Sequence, residues 1–216
     1  MTIFLVNDVL NVINYSLWSD TVRKMPESCR AHNNLGLAYA DKRRFGEAIK
    51  EYQTALELDP LHVSSHYNLG LIYMGQERFD EAIRQFLVTL MFKPGDTNAH
   101  NNLGVVYARQ KRLDEAIESF QKAVRLKPGD IDAHNNLGSA YYDQEKLDEA
   151  ISEYQASLRL KPNPDAYYGL GIAHRDKGLK DEALTAFEEA LRLNPDDVEA
   201  REELESLKRK TRDRLL

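Results

Sequence analysis

One string recurs along this chain at a fixed interval, and it limits the fold more than any other feature. His32-Asn-Asn-Leu-Gly36 returns as His66-Tyr-Asn-Leu-Gly70, His100-Asn-Asn-Leu-Gly104 and His134-Asn-Asn-Leu-Gly138, each 34 residues after the last, and a fifth copy, Tyr167-Tyr-Gly-Leu-Gly171, follows 33 residues later. Other columns keep the same step: Tyr39, Tyr73, Tyr107, Tyr141 and His174; Ala48, Ala82, Ala116, Ala150 and Ala183; Tyr52, Phe86, Phe120, Tyr154 and Phe187; Pro60, Pro94, Pro128, Pro162 and Pro195. A period of this length marks a stack of small supersecondary units, each unable to bury its apolar face alone.

Each unit reads as two helices. His32, Leu35, Gly36 and Tyr39 fall at i, i+3, i+4 and i+7, one helical face, and Ala48, Ile49, Tyr52, Ala55 and Leu56 form a wider apolar stripe on a second helix. Asp80, Asp114, Asp148 and Asp181 stand at the start of the second helices, where a carboxylate suits the positive end of the helix dipole and can cap free N–H groups; the first repeat has Gly46 there. The seven prolines fall in linkers or at helix starts. Glycine inside a helix costs about 1 kcal/mol relative to alanine. Its recurrence at Gly36, Gly70, Gly104, Gly138 and Gly171 therefore implies a close helix–helix approach that needs a missing side chain.

These residues, Leu-Gly, Tyr, Glu-Ala, aromatic, Ala and Pro on a 34-residue period, resemble the tetratricopeptide repeat (TPR) family over residues 29–197, about 78% of the chain. The resemblance implies an all-α fold, a right-handed α-solenoid of helix-turn-helix repeats with N- and C-terminal capping helices. The repeats are set at 29–62, 63–96, 97–130, 131–163 and 164–197. Residues 1–28 are read as a degenerate half-repeat or N-terminal helix, and 198–216 as a capping helix with a basic tail, Lys208–Arg214. Departures from the family pattern are local: His in place of an aromatic before Leu-Gly, Thr89 and Ser157 in a small-residue column, and Arg43, Glu77, Lys111 and Glu145 where the family favours the turn glycine kept only at Gly178.

Val9, Leu10, Val12, Ile13 and Leu17 are expected to form an apolar face docking on the first repeat, and Val198, Leu204 and Leu207 to point inward from the last helix under an Asp196 or Asp197 cap. The net charge of −6 argues against a generic nucleic-acid binder. One cysteine, Cys29, excludes an internal disulfide framework and a thiolate zinc cluster. With no targeting segment and no apolar run of roughly 20 residues, the expected location is cytoplasmic.

No catalytic constellation emerges: Ser64, Ser65, Ser119, Ser139 and Ser152 lack an evident base, and Gly169-Leu-Gly171 lies inside a helix rather than in a phosphate loop. No enzyme activity, cofactor, metal or small-molecule substrate is expected. Equivalent helices in neighbouring repeats lie at best ~8–10 Å apart, too far for His32, His66, His100 and His134 to share one ion, so these histidines are read as packed and neutral.

The surface left over is the face lining the hollow of a TPR superhelix. It carries Asn34, Asn68, Asn102 and Asn136, beside them Asn33, Tyr67, Asn101 and Asn135, and further along Leu37, Leu71 and Val105. The four-asparagine column resembles the asparagine ladder in the TPR superhelix of O-linked N-acetylglucosamine transferase. That resemblance implies that these side chains hold a peptide backbone, for which an amide with donors and an acceptor is suited. The Lys-Arg set of the carboxylate clamp has no counterpart at Asn33, Leu37, Asn98 and Asn102; Asp132, Asp143, Asp165 and Asp176 crowd the later half, which favours a basic segment there. The expected function is a protein-interaction scaffold gripping a peptide or partner helix in its concave groove. A second reading makes the chain the TPR tail of a larger multi-spanning membrane transferase, with Met1–Val6 a stub of its last span; a third is an RNA-reading helical repeat, which the acidic later half disfavours. Partner and oligomeric state stay open.

Overall fold

A computed structural model describes residues 14–212, with side chains to residue 209. Every regular element among the described residues is helical. Residues 14–24 form α1. Then follow α2 (Cys29–Asp41), α3 (Phe45–Leu58), α4 (Val63–Gly75), α5 (Phe79–Phe92), α6 (Thr97–Arg109), α7 (Leu113–Leu126), α8 (Ile131–Asp143), α9 (Leu147–Leu160), α10 (Pro164–Asp176), α11 (Lys180–Leu193) and α12 (Val198–Arg212). The chain divides into two compact units, 1–106 and 107–216.

In the first unit α2 packs on α3 and α4 on α5, with α4 also against α3. The glycines explain the closeness. A Cβ at Gly36 would stand 2.6 Å from the Tyr52 ring, and one at Gly70 would stand 2.7 Å from the Phe86 ring. The second unit repeats the device: Gly138 faces Tyr154 and Gly171 faces Phe187, with Cβ distances of 2.9 and 2.6 Å. Around these aromatics Ala48, Ala55, Ala82, Ala150, Ala183 and Ala190 are fully buried. Thr89 and Ser157 fit the same small column because their hydroxyls are satisfied locally: Thr89 donates to the Gln85 carbonyl at 3.0 Å, and Ser157 accepts from Asn163 at 3.1 Å.

Each hairpin turn places one residue in the left-handed region: Arg43 (φ 56), Glu77 (φ 58), Lys111 (φ 60), Glu145 (φ 61) and Gly178 (φ 82). The next N–H then reaches back to the first helix, as in Arg78 N to Tyr73 O at 2.9 Å, the hydrogen bond of a left-handed helix cap. Three turns add an arginine stacked on that tyrosine: Arg44 over Tyr39, Arg78 over Tyr73 and Arg112 over Tyr107, at 4.7, 4.3 and 4.4 Å from ring centroids. A non-glycine residue in the left-handed region costs roughly 1–2 kcal/mol. Glu77→Gly is therefore expected to raise stability by about 1 kcal/mol, read as a higher urea midpoint at unchanged slope.

Several expectations are revised here. The second helices start one residue earlier than expected, and their N-caps, Arg44, Arg78, Arg112, Lys146 and Leu179, make no side-chain cap hydrogen bond. The acidic residues instead sit inside the first turn: they complement the dipole without capping. Four of the five first helices are capped by side chains, through Ser28, Asp96, Asp130 and Asn163, while α4, with His62 at its N-cap, is not, and Asp197 caps α12. In α12 Leu207 is buried and Leu204 packs beside it, whereas Val198, expected inward, is exposed because it is the first residue of the helix. Leu17 is also exposed; α1 meets α2 through Tyr15, whose ring stands edge-on to Tyr39 at 5.3 Å with the Lys42 ammonium over it. Val9, Leu10, Val12, Ile13 and Met1–Val6 lie outside the described residues, as does the end of the basic tail.

His174 replaces the tyrosine of its column, and Leu179 replaces the stacking arginine. Its Nδ1 is buried without a partner among the described residues, and burial holds the ring below its ordinary value of 6.5. Above that value the ring is neutral in both folded and unfolded chains. As pH falls below it, the unfolded chain takes up a proton that the folded chain resists, so stability declines. His174→Tyr is expected to lessen the loss between about pH 7 and about pH 5, measured by urea unfolding across that range.

Candidate functional site

The asparagine columns lie on the first helices, and in the first unit they meet at a cleft. About 270 Å³ in volume, it is lined by Asn33, Leu37, Val63, Ser64, Tyr67 and Asn68, together with Thr89, Lys93 and Asp96. A relay of hydrogen bonds sets its floor. His62 Nδ1 meets Ser65 Oγ at 2.9 Å, the Ser65 hydroxyl donates to Asn33 Oδ1 at 3.2 Å, and Asn68 Nδ2 donates to the same oxygen at 3.1 Å. Asn33 Nδ2 in turn donates to Asn34 Oδ1 at 3.2 Å. Asn33, expected to touch a ligand, is buried with both ends of its amide bonded inside the chain. It works as a strut that fixes Asn68.

The same step recurs one repeat on, with a tyrosine as acceptor: Asn102 Nδ2 donates to the Tyr67 hydroxyl at 3.1 Å. Tyr67 is held from its other side by the Phe86 ring, edge-on at 5.9 Å, and burial raises its phenol above the ordinary value. Asn68 and Asn102 thus each spend one N–H on the preceding repeat. Asn68 and Asn102, both half-buried, retain an Oδ1 and a second N–H uncommitted among the described residues. Leu37 is exposed and Leu71 and Val105 are half-buried, so the amides have apolar neighbours along their helices. Asn34 lines a second cleft of about 280 Å³ with Asn14, Trp18, Leu37, Ala38 and Asp41.

In the second unit the column breaks. Gly169 stands where an asparagine is due, and a Cβ there would meet the Tyr154 hydroxyl at 2.8 Å. Asn135, one place before the ladder position, donates to Asn163 Oδ1 at 3.2 Å, but its own Oδ1 is buried with no partner among the described residues. In the first unit the matching oxygen, on Asn33, is served by the asparagine of the next repeat; Gly169 has no amide to serve it. Asn101 and Asn136 are half-buried on their columns. A cleft of about 570 Å³ near the end of this unit is lined by Tyr168, Glu199, Glu202, Glu203, Glu205, Ser206 and Arg209. Arg175 bridges Asp176 and Glu203 at 2.7 and 2.6 Å, and the hydrogen bond to Asp176 is the main reason its guanidinium is pushed above its usual range.

The histidines of this column hold hydrogen bonds inside the chain. Nε2 of His32, His66, His100 and His134 donates to the carbonyl of Pro26, Pro60, Pro94 and Pro128 at 2.9–3.0 Å, tying each first helix to the linker before it. Nδ1 of His32 and His134 faces Glu51 and Glu153 at 2.7 and 2.6 Å. At His66 the partner is the Gln85 amide. For His100 the same sequence step leads to Ser119, whose hydroxyl bonds the Glu115 carbonyl.

Two family models, both described as tetratricopeptide repeat, match residues 33–90 and 134–204, and residues 95–163. The chain belongs to the tetratricopeptide repeat family. Among solved TPR structures it is similar to YrrB, described as a TPR protein with an unusual peptide-binding site, at 25% identity over 86% of this chain and 96% of that one, with a TM-score of 0.74. It is similar to MamA at 30% identity over 74% of this chain and 95% of that one, with a TM-score of 0.71. It shares its fold with pilF of Pseudomonas aeruginosa, 19% identical over 96% of this chain and 93% of that one, with a TM-score of 0.79. A search of curated proteins gives no match at significance. Among the described residues no helix is long and apolar enough to cross a membrane.

Proposed function

We propose that this TPR protein is a non-catalytic adaptor that receives an extended peptide of a partner protein across its first helices, with Asn34, Asn68 and Asn102 bonding the peptide backbone and Leu37, Leu71 and Val105 receiving its apolar side chains. The observation that carries this reading is the fixed amide of Asn68. One N–H is bonded to Asn33, which is itself held by Ser65, while the remaining donor and acceptor are left at the cleft. A polar group already oriented costs less to immobilise on binding than a mobile one. The peptide-binding description of YrrB, which spans nearly the same length, supports the same kind of ligand here.

Lys93 and Asp96 at the cleft offer both signs of charge, which suits a peptide carrying a neighbouring acid and base. Asn101 is proposed as a further peptide contact of the first unit, and Asn135 and Asn136 as peptide contacts of the second. Panning a random-peptide display library against the chain, then measuring the selected peptides by calorimetry, tests the reading. Peptides that bind the wild type and lose binding when the cleft is mutated support it. Failure of any peptide to enrich, or enrichment indifferent to Asn68 and Asn102, overturns it.

A further inference from the structure

The cleft between α1 and α2 carries a charge that no described residue answers. Its walls are one stripe of each helix: Asn14 and Trp18, four residues apart on α1, and Asn34, Leu37, Ala38 and Asp41, which fall at i, i+3, i+4 and i+7 on α2. Asp41 is the last residue of α2, is exposed, and makes no ion pair or side-chain hydrogen bond among the described residues. A carboxylate at this end of a helix meets the negative pole of the dipole, and the last turn of α2 holds no basic residue to offset it. Lys42, next in the chain, places its ammonium over the Tyr15 ring instead.

The repeat does not demand an acid at this position. Gly75 and Arg109 hold it in the next two repeats, and Asp143 and Asp176 in the last two. Both of those aspartates are paired, Asp143 with Lys111 at 3.7 Å and Asp176 with Arg175 at 2.7 Å. Asp41 is thus the acid of its column left without a cation among the described residues, and it shares a cleft with the chain's single tryptophan.

The walls specify what fits. Pockets for whole small molecules run about 300–1,000 Å³, whereas this cleft, at about 280 Å³, suits a single side chain. Tryptophan offers a cation the best of the aromatic faces. Asp41 adds two carboxylate oxygens and Asn14 an amide oxygen, while Asn34 Oδ1 accepts one bond from Asn33 and keeps a second lone pair. An arginine matches this set: its guanidinium is planar, stacks on an aromatic ring and presents five N–H donors in a fork suited to a carboxylate. Leu37 and Ala38 give its methylene stem an apolar wall. An acidic side chain would meet both Asp41 and the negative pole of α2.

We propose that this cleft anchors an arginine of the bound peptide, with the guanidinium over Trp18 and paired to Asp41. The proposal rests on the peptide reading above and adds the residue that enters at this end of the ladder. Leu37 lines both this cleft and the one at Asn68, so a peptide lying across the ladder runs directly into the anchor. Asn34 keeps both N–H groups uncommitted among the described residues for the peptide backbone.

Peptides selected on the wild type from a random display library test the anchor. They are expected to carry an arginine at one fixed position, and selection on Asp41→Asn should lose that preference. For one such peptide, Asp41→Asn should raise the dissociation constant about threefold to tenfold. Replacing the peptide's arginine with glutamine should do the same, and the two changes together should cost little more than either, because each removes one shared contact. Trp18 fluorescence should shift when the arginine peptide binds and stay nearly unchanged with the glutamine peptide. Asp41→Asn should melt no lower than the wild type, since Asp41 opposes the dipole of its own helix. Selected peptides that need Asn68 and Asn102 but carry no fixed arginine, or that bind Asp41→Asn as tightly as the wild type, overturn the anchor and leave the ladder standing. Failure of any peptide to enrich overturns both.

Discussion

Replacing Gly70 with leucine is expected to unfold the hairpin of α4 and α5 and to lower the stability of the first unit by several kcal/mol. Even a methyl group at this position would lie 2.7 Å from the Phe86 ring, inside van der Waals contact. Phe86 has no room to retreat: it is fully buried, and Tyr67 packs edge-on against it. Overpacking a filled core costs typically about 1–3 kcal/mol per insertion, and an isobutyl group wedged between two helices also breaks the surrounding contacts. In a repeat stack the loss passes to neighbours through their shared interfaces. The measurement is a thermal melt of wild type, Gly70→Ala and Gly70→Leu. A graded fall in melting temperature is expected, alanine less than leucine; equal melting temperatures would show that the close approach is not there. Gly75, which has nothing within 4 Å of a built Cβ, is the control, and Gly75→Ala should leave stability unchanged or raise it slightly.

The second large effect is on binding. Asn68→Ala with Asn102→Ala is expected to weaken peptide affinity tenfold to a hundredfold while the helices stay folded. Each change removes one hydrogen bond within the stack and up to two offered to a ligand. A typical hydrogen bond contributes roughly 0.5–1.5 kcal/mol net, and about 1.4 kcal/mol is a factor of ten in affinity. The double variant also frees the Tyr67 hydroxyl and relieves Asn33 of one of its two donors; Asn33 keeps its bond from Ser65. A modest fall in melting temperature is thus expected alongside the loss of affinity. Titration calorimetry with a library-selected peptide reads the affinity and circular dichroism reads the fold. An unchanged dissociation constant in a folded double variant would move the site off the ladder.

The hairpins were legible because their causes are local and repeated. Leu35, Gly36 and Tyr39 announce one face by spacing alone, and five glycines in one column imply the close approach by their recurrence. The proposed site was legible only as a face. Spacing put Asn33 and Asn34 side by side on the first helix but could not separate their roles. One is a buried strut, and the other begins the column in which Asn68 and Asn102 keep uncommitted atoms. That division depends on Ser65, 32 residues away, and on Asn68, 35 residues away. The break at Gly169 was visible as a departure from the column, but its consequence, a buried Asn135 oxygen without a donor among the described residues, was not.

What the sequence determined by itself is the repeat, the helices and the side of each helix that packs, since periodicity in one chain fixes which residues share a face. What the tertiary structure decided is which atom meets which across helices. His32 finds Glu51 and His134 finds Glu153, each 19 residues on, while the same step from His100 reaches a serine. The first-turn aspartates, well placed for capping by sequence, do not hold the cap position because the N-cap of each second helix lies two residues before them, on the arginine, lysine or leucine that closes the turn. The physical reason is range. Helix propensity and apolar patterning act over three or four residues, whereas a hydrogen bond requires its partners within about 3 Å, a condition that only the packed stack can meet.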